Sequence, residues 1–333
     1  MISCPVCAYE NLPEDKYCQQ CGAELTPTEE NSGFFIADTT VSDPTLITAP
    51  HRASHRIIHL DWAAVTDVGR QRQQNEDDFY ASSQTIISQT KNSIPERIDR
   101  GLFVVCDGMG GHAGGEIASA MAVGGIADHF QFFWSDSLPS GEQVVSIVRA
   151  VNQSIFYQNE QNSRQDYGRM GTTLVMLALH NTQVVLAHVG DSRIYKITAD
   201  PKPQCEQMTR DHEVGNRLID QGVPPEVAWT RYDAHQLTQA LGPNDSQRVE
   251  PATISFELEQ SCLFLLCSDG LCDNGFVENY WKTHLLVLLS PSYNLQESLR
   301  DLVDLCNNEV NGHDNLTAIL VRCLVQPVAQ EQN

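Results

Sequence analysis

Acidic side chains stand where apolar strands are predicted to end, at distant points of this 333-residue sequence. Asp107 and Asp269 each close a continuous apolar run and are each followed by glycine. Asp191 stands in Val-Gly-Asp-Ser-Arg, and Asp314 stands just before the last apolar run. Burying an isolated carboxylate is costly, so acids beside a core need partners, and few lysines or arginines adjoin these. Their oxygens suit Mg²⁺ or Mn²⁺, although any one Asp-Gly pair could equally be an ordinary turn.

A basic residue accompanies another acid nearer the start of the chain. Arg72 stands five residues before Asp77 in Arg-Gln-Gln-Asn-Glu-Asp. A guanidinium can hold two phosphate oxygens at once while a carboxylate faces a metal ion. The glycines after Asp107 and Asp269 allow a close approach of the backbone, so a main-chain carbonyl could also coordinate. Phosphate chemistry at a divalent metal centre is the activity that these residue types favour.

Cysteines form a second group with metal-ligand spacing. Cys4, Cys7, Cys18 and Cys21 give two C-x2-C pairs separated by ten residues. Four thiolates close a tetrahedron, which predicts a structural zinc ribbon over residues 1–25, with redox-active or unpaired thiols as the alternative. The segment resembles the short zinc ribbons at the ends of many bacterial regulatory proteins. Lys16 is the only basic residue among the first 25, which favours contact with a protein over nucleic acid.

Composition limits the remaining classes of function. The chain carries 21 Lys and Arg against 43 Asp and Glu, a net charge of −22, which makes nucleic-acid binding unlikely. The acidic excess has two interpretations: the carboxylates face water and keep the protein soluble, or some of them converge on divalent cations. The start of the sequence lacks the features of a secretory signal, and the longest apolar runs, near 263–266 and 285–289, are too short to span a bilayer. Eleven cysteines without a leader favour reduced thiols or metal ligands, and a cytoplasmic location.

The apolar patterns predict one large folded region after a polar linker. We expect a flexible linker over 26–55, a catalytic domain over 56–325 and a polar tail over 326–333. Continuous apolar runs predict strands at 102–106, 173–179, 184–189, 193–197, 262–267 and 316–323. Helical spacing occurs around 117–130, 144–157, 276–289 and 295–308. This order favours an α+β fold in which two sheets pack together with helices outside (αββα). Residues 82–100 are predicted to be a loop between strands, and 199–250 a surface flap.

The motifs in order identify a resemblance. Asp-x-Gly-x-x-Arg-x-x-Asn-Glu-Asp is followed by Asp-Gly-Met-Gly-Gly-His, Gly-Thr-Thr, Gly-Asp-Ser-Arg, Ser-Asp-Gly and Asp-Asn-x-Thr. Over residues 56–325 the chain resembles the protein phosphatase 2C family of metal-dependent serine/threonine phosphatases, bacterial in style. That family has a central sandwich of two antiparallel sheets flanked by helices, which agrees with the pattern of apolar runs.

The resemblance implies a role for each acid. Asp107 would bridge two Mn²⁺ or Mg²⁺ ions, Asp269 and Asp314 would complete one shell, and Asp77 with the Gly108 carbonyl would serve the other. Glu76 would hold a water from the outer shell. Asp191 matches the acid of a third, weaker ion, shared with Asp269. A metal-bridging hydroxide would attack phosphorus directly, without a phosphoenzyme, while Arg72 holds the phosphate.

One further residue and the partners rest on the same resemblance. His112 is the candidate general acid for the leaving group, and its alternative role is to bond the glycine turn. Phosphoprotein substrates, a serine/threonine kinase system and a monomer are expected. The other hypothesis is an inactive phosphatase-like binding or regulatory protein that acts through the zinc ribbon. Cys106, Cys262, Cys267, Cys272, Cys306 and Cys323 are expected in or near the core.

Overall fold

The computed structural model describes residues 1–3, 10–13, 54–88, 96–110, 114–131, 137–164, 168–310 and 312–328. The strands are β1 (Ile2–Ser3), β2 (Glu10–Asn11), β3 (His55–Asp67), β4 (Asp78–Ser88), β5 (Glu96–Cys106), β6 (Gly108–Met109), β7 (Gly171–Thr172), β8 (Leu174–His180), β9 (Gln183–Val189), β10 (Arg193–Thr198), β11 (Gln204–Gln207), β12 (Ala252–Glu257), β13 (Cys262–Cys267) and β14 (Leu316–Pro327).

Seven α-helices accompany them within these ranges: α1 (Gly115–Gln131), α2 (Gly141–Gln161), α3 (Val214–Asp220), α4 (Pro225–Ala228), α5 (Asp269–Cys272), α6 (Phe276–Tyr280) and α7 (Leu295–Glu309). A π-helical turn at Trp281–Leu285 and a 3₁₀ turn at Leu286–Leu289 continue α6, so the helical stretch predicted over 276–289 is divided into three pieces. A further 3₁₀ turn occupies Asp273–Gly275. In the described parts of the chain, no helix is long and apolar enough to cross a membrane.

Two five-stranded antiparallel sheets form the centre of the fold. One has the order β11-β10-β13-β14-β3, and the other has the order β12-β9-β8-β5-β4. Strand β5 shows why its sequence is continuously apolar. Phe103 and Val105 face the core between the sheets, whereas Leu102 and Val104 pack with helices α1 and α2. Helix α7 and the 276–289 segment cover the outer face of the first sheet. The predicted α+β sandwich flanked by helices is confirmed.

The prediction of a loop over residues 82–100 is wrong. Strands β4 and β5 run through most of that segment and pair from Asp78↔Cys106 to Ser88↔Glu96. Strand β4 lies at the edge of its sheet, where one side of the ladder is unpaired and polar side chains are tolerated, so the apolar pattern that marks a buried strand is missing. Asp99 is buried in this hairpin because Arg97 and the hydroxyl of Thr85 bond its carboxylate.

The six cysteines expected in or near the core are all buried there as free thiols.

Residues 199–250, the flap, contain β11, α3 and α4. Strand β11 pairs with β10 from Tyr195↔Gln207 to Thr198↔Gln204, so the start of the flap extends the first sheet. The zinc-ribbon cysteines and nearly all of the predicted linker lie outside the described residues.

Candidate active site

A cavity of about 440 Å³ opens at one end of the sandwich. Its lining comprises Arg72, Glu76, Asp107, Gly108, Met109, Gly110, Thr173, Asp191, Leu237, Asp269, Asp314 and Asn315. The acids reach it because each lies at a strand end. Asp107 follows β5, Asp191 lies between β9 and β10, and Asp269 follows β13. Antiparallel neighbours thus bring residues that are remote in sequence to one edge.

Backbone contacts fix Asp107 at the floor of this cavity. Its N–H donates to Oγ1 of Thr173 at 2.9 Å, and its carbonyl accepts from the Thr173 N–H at 2.8 Å and from Oγ1 of Thr172 at 2.8 Å. Gly108 follows in a space that only glycine fits, since an added Cβ would lie 2.2 Å from the carbonyl oxygen of Gly115. The carboxylate and the Gly108 peptide are therefore presented together. The Gly-Thr-Thr segment orders the strand behind the site.

Asp77 lies behind the lining and is 9% exposed. One carboxylate oxygen, Oδ2, accepts from Oγ of Ser268 at 2.7 Å, and that hydroxyl oxygen in turn accepts from the Thr317 N–H at 2.9 Å. The other oxygen, Oδ1, is buried and has no hydrogen-bond partner. A buried carboxylate oxygen without a partner is costly. This atom is therefore suited to a cation.

The acids repel one another in the absence of a cation. Burial, and then the neighbouring carboxylates, raise the pKa of Asp269 to about 6 and the pKa of Asp191 to about 7. Burial likewise raises the pKa of Asp77 to about 7, and the pKa of Asp107 lies well above its ordinary value. Oδ1 of Asp269 is buried and has no hydrogen-bond partner.

This donor set fits divalent cations, because clustered carboxylate oxygens in excess of nearby positive charge are the ligands of Mg²⁺ and Mn²⁺. Across the described ranges, however, no three His, Cys, Asp or Glu side chains are already arranged as a metal shell. Two of the acids already have other partners: Ser268 donates to Asp77, and Arg72 donates to Asp314.

Arg72 reaches the cavity from the loop between β3 and β4. Its Nη2 donates to Oδ2 of Asp314 at 2.5 Å, and this bond raises the pKa of the guanidinium. The Arg72 side chain is 53% exposed, against 23% for Asp314, so it stands at the mouth of the cavity. Glu76 lines the wall, and burial followed by repulsion from Glu116 raises its pKa. One positive group thus faces solvent beside the half-buried acids that line the cavity.

Comparison with known proteins shows which family this chain belongs to. The family model described as protein phosphatase 2C matches residues 70–320. The chain belongs to the protein phosphatase 2C family. Protein phosphatase PhpP of Streptococcus pneumoniae is 30% identical over 264 residues, which cover 79% of this chain and 97% of PhpP. Serine/threonine phosphatase stp of Listeria welshimeri is 32% identical over 261 residues, covering 77% of this chain and 93% of that protein.

Solved structures share the protein phosphatase 2C fold seen here. The crystal structure of serine/threonine phosphatase Stp1 from Staphylococcus aureus superposes with a TM-score of 0.60 at 30% identity, covering 79% of this chain and 95% of that chain. The catalytic domain of PstP in complex with two manganese ions gives 0.58 at 29% identity, covering 81% and 99%.

Most of the predicted site residues of this protein phosphatase 2C chain meet at one cavity. The cavity is lined by Arg72, Glu76, Asp107, Gly108, Asp191, Asp269 and Asp314, and Asp77 accepts a hydrogen bond from Ser268, which directly precedes Asp269. His112 and the zinc ligands Cys4, Cys7, Cys18 and Cys21 lie outside the described residues. Metal binding by each group, and the acid role of His112, stay predictions.

Two supporting residues were not singled out from the sequence. Ser268 holds Asp77, as described above. Asn315 is 5% exposed and donates from Nδ2 to the carbonyls of Val68 and Gln74, both at 2.9 Å, while its Oδ1 accepts from the Glu76 N–H at 2.9 Å. Asn315 thus joins the Arg72 loop to the strand that follows Asp314. Both residues stand inside quoted protein phosphatase 2C motifs, Ser-Asp-Gly and Asp-Asn-x-Thr, which was the available signal.

Proposed function

We propose that this protein removes phosphate from phosphoserine and phosphothreonine of protein substrates in a reaction that depends on Mn²⁺ or Mg²⁺. One observation carries the proposal: Arg72, half exposed, lies beside four buried or half-buried acids whose oxygens lack sufficient positive partners. Relatives at 30–32% identity named as protein or serine/threonine phosphatases, and the PstP structure with two manganese ions, support it.

The chain offers a distinct set of oxygens for each ion. Asp107 would hold both ions, Asp269 and Asp314 would hold one of them, and Asp77 with the Gly108 carbonyl would hold the other. Asp191 and Asp269 would share a third, weaker ion, and Glu76 would hold a water from outside. When bound, the ions would supply Lewis acidity and activate water as the nucleophile near neutral pH.

The remaining chemistry belongs to side chains. Arg72 would bind the phosphate oxygens in a bidentate manner and offset the charge that develops on them in the transition state. The only hydroxyl among the described lining residues is that of Thr173, and it is already engaged with Ser192 and the Asp107 N–H. The proposed reaction is direct hydrolysis without a phosphoenzyme, as the family resemblance implies. His112 is our candidate to protonate the leaving serine or threonine oxygen.

The N-terminal cysteines extend the proposal beyond the catalytic domain. Cys4, Cys7, Cys18 and Cys21 would bind one structural Zn²⁺, and the resulting ribbon would contact a protein. We further propose a cytoplasmic monomer that opposes a serine/threonine kinase, with nucleic acid disfavoured by the net charge of −22.

Hydrolysis of a phosphopeptide panel tests the function directly. Full-length protein with Mn²⁺ should release phosphate from phosphoserine and phosphothreonine peptides and should stop with chelator. Asp107→Asn should be inactive while its circular dichroism spectrum is unchanged. Asp304→Asn, on the exposed face of α7, is the matched control and should retain activity. An inactive wild-type protein that still captures phosphopeptides would favour the binding-protein hypothesis instead.

A further inference from the structure

Two of the contacts that attach the flap to the core adjoin acids of the candidate metal site. On the C-terminal side, Leu241 exchanges two backbone hydrogen bonds with Thr172, at 3.0 and 2.9 Å. Thr172 is the residue whose hydroxyl bonds the Asp107 carbonyl. On the N-terminal side, His212 bonds the peptide of Gly190, the residue immediately before Asp191. Leu237, between the two attachments, lines the cavity.

His212 holds Gly190 from both sides of its backbone. The His212 N–H donates to the Gly190 carbonyl at 2.9 Å, and the Gly190 N–H donates to Nδ1 of the His212 ring at 3.2 Å. The His212 carbonyl accepts a hydrogen bond from the Thr238 N–H at 2.7 Å. This bond joins two segments of the flap, and Thr238 directly follows Leu237. A single residue therefore contacts the turn that carries Asp191 and the segment that carries Leu237.

The Gly190 turn has a conformation that needs such support. Its φ is +108°, in the region that favours glycine, and an added Cβ would lie 2.7 Å from Cγ2 of Thr173. On the other side of Asp191, the Ser192 hydroxyl is buried and lies 2.7 Å from Oγ1 of Thr173. Asp191 is thus held between a serine fixed to the core and a glycine fixed to the flap.

The surroundings of the imidazole keep it a hydrogen-bond acceptor. His212 stacks on His188 with ring centroids 4.8 Å apart and an interplanar angle of 30°. His188 is 5% exposed, and its Nε2 bonds the Arg210 carbonyl at 2.9 Å. Burial, and then His188, lower the pKa of His212 to about 4, so its ring is neutral at pH 7. The bond to Gly190 N–H requires a bare Nδ1 and places the ring proton on Nε2.

We propose that His212 is a positioning residue that fixes the Gly190 peptide and thereby Asp191. Through its imidazole, the flap is coupled to Asp191, the acid assigned to the third ion. The proposal rests on the proposed function only in assigning Asp191 to an ion. Next to it, Nε and Nη2 of Arg193 both donate to Oδ2 of Asp211, at 2.9 and 2.7 Å, and form a separate tether. That tether should keep the flap folded when the ring of His212 is changed.

Two variants of the full-length protein separate the acceptor from the stacked ring. In His212→Asn, Oδ1 takes the position of Nδ1, so the bond to Gly190 can be kept while the stack on His188 is lost. In His212→Phe, the stack is kept and the acceptor is lost. His284→Asn and His284→Phe, at an imidazole on the π-helical turn, are the matched controls.

Amide hydrogen exchange and Mn²⁺ titration are the measurements. For His212→Phe we expect exchange of the Gly190 amide about tenfold faster, and a Kd of the weakest Mn²⁺ site about tenfold higher, with the two tighter sites unchanged. His212→Asn should stay near wild type in both. Unchanged exchange in His212→Phe, or equal damage in both variants, overturns the proposal. An inactive wild-type protein would refute the proposed function, whereas the exchange result would still decide the role of His212.

Discussion

Arg72 and Asp314 lie 242 residues apart in the chain and are joined by a 2.5 Å hydrogen bond across the mouth of the candidate site. Asp314 is proposed as a metal ligand and Arg72 as the phosphate ligand, so each is the other's partner until its own ligand arrives. Under the proposed function, an ion on Asp314 would compete with the guanidinium, and cation binding would free Arg72 to bind phosphate.

Replacing Arg72 should separate phosphate binding from metal binding. In Arg72→Ala we expect kcat/KM on phosphopeptides to fall by roughly 100-fold, the scale of losing a charged donor to the transition state. Arg72→Lys should recover only part of this loss, because an ammonium cannot form the two parallel bonds. Mn²⁺ affinity should be unchanged or higher, since Asp314 loses a competing partner. Steady-state kinetics and calorimetry measure the two effects, and weaker Mn²⁺ binding would contradict this assignment.

Ser268→Ala should weaken the support of Asp77. The substitution removes the donor to the Asp77 carboxylate and the acceptor for the Thr317 N–H, both buried. We expect the free energy of unfolding to fall by about 1–3 kcal/mol, together with weaker Mn²⁺ binding. Urea denaturation and calorimetry check both effects. Ser146→Ala, whose hydroxyl bonds its own helix at Glu142, is the control and should be near neutral in both.

The stability of the metal-free protein should depend on pH in an unusual direction. In the folded state the pKa is about 7 for Asp77 and Asp191 and about 6 for Asp269, above the ordinary aspartate value of 3.8. The folded state therefore binds more protons than the unfolded state between about pH 4 and pH 7, and the free energy of unfolding falls as pH rises through that window.

Mn²⁺ should reverse this trend, because it binds the deprotonated acids and its stabilisation grows across the same window. Thermal denaturation from pH 5 to 8, with and without Mn²⁺, measures both effects. A Tm increase from Mn²⁺ that is as large at pH 5 as at pH 8 would count against coordination by these acids.

The N-terminal cysteines make a separate prediction. Purified full-length protein should contain about one Zn²⁺ per chain, and Cys4→Ser together with Cys18→Ser should abolish it. Removal of residues 1–25 should leave Mn²⁺-dependent hydrolysis of a short phosphopeptide within about twofold, since four thiolates leave no open coordination position. Loss of partner capture without loss of hydrolysis would support the protein-contact role. A zinc-free full-length protein would refute the ribbon.

The position of the acids at strand ends could be predicted from the sequence because the signal is local. Asp107 and Asp269 each end a strand that is buried on both faces, and the continuous apolar runs before them are visible without a structure. The roles of Ser268 and His212 were not predictable in this way. Their partners, Asp77 and Gly190, lie 191 and 22 residues away, and only the fold brings them into contact.

The hairpin of β4 and β5 is an element that the sequence pattern did not predict. Its outer half consists largely of polar residues, and backbone pairing at a sheet edge determines its structure. Side-chain patterns report burial, so they miss a strand whose stability comes from its ladder and from a buried charge such as Asp99.

Titration of Mn²⁺ into metal-free protein, followed by calorimetry, tests most directly whether these remote carboxylates form one metal centre. Wild type should bind two ions tightly and a third weakly, whereas Asp107→Asn should lose tight binding at both of the first two, because that side chain would bridge them. Asp304→Asn should bind as wild type does. Tight binding of two ions by Asp107→Asn, or none by the wild type, would contradict a shared dinuclear site.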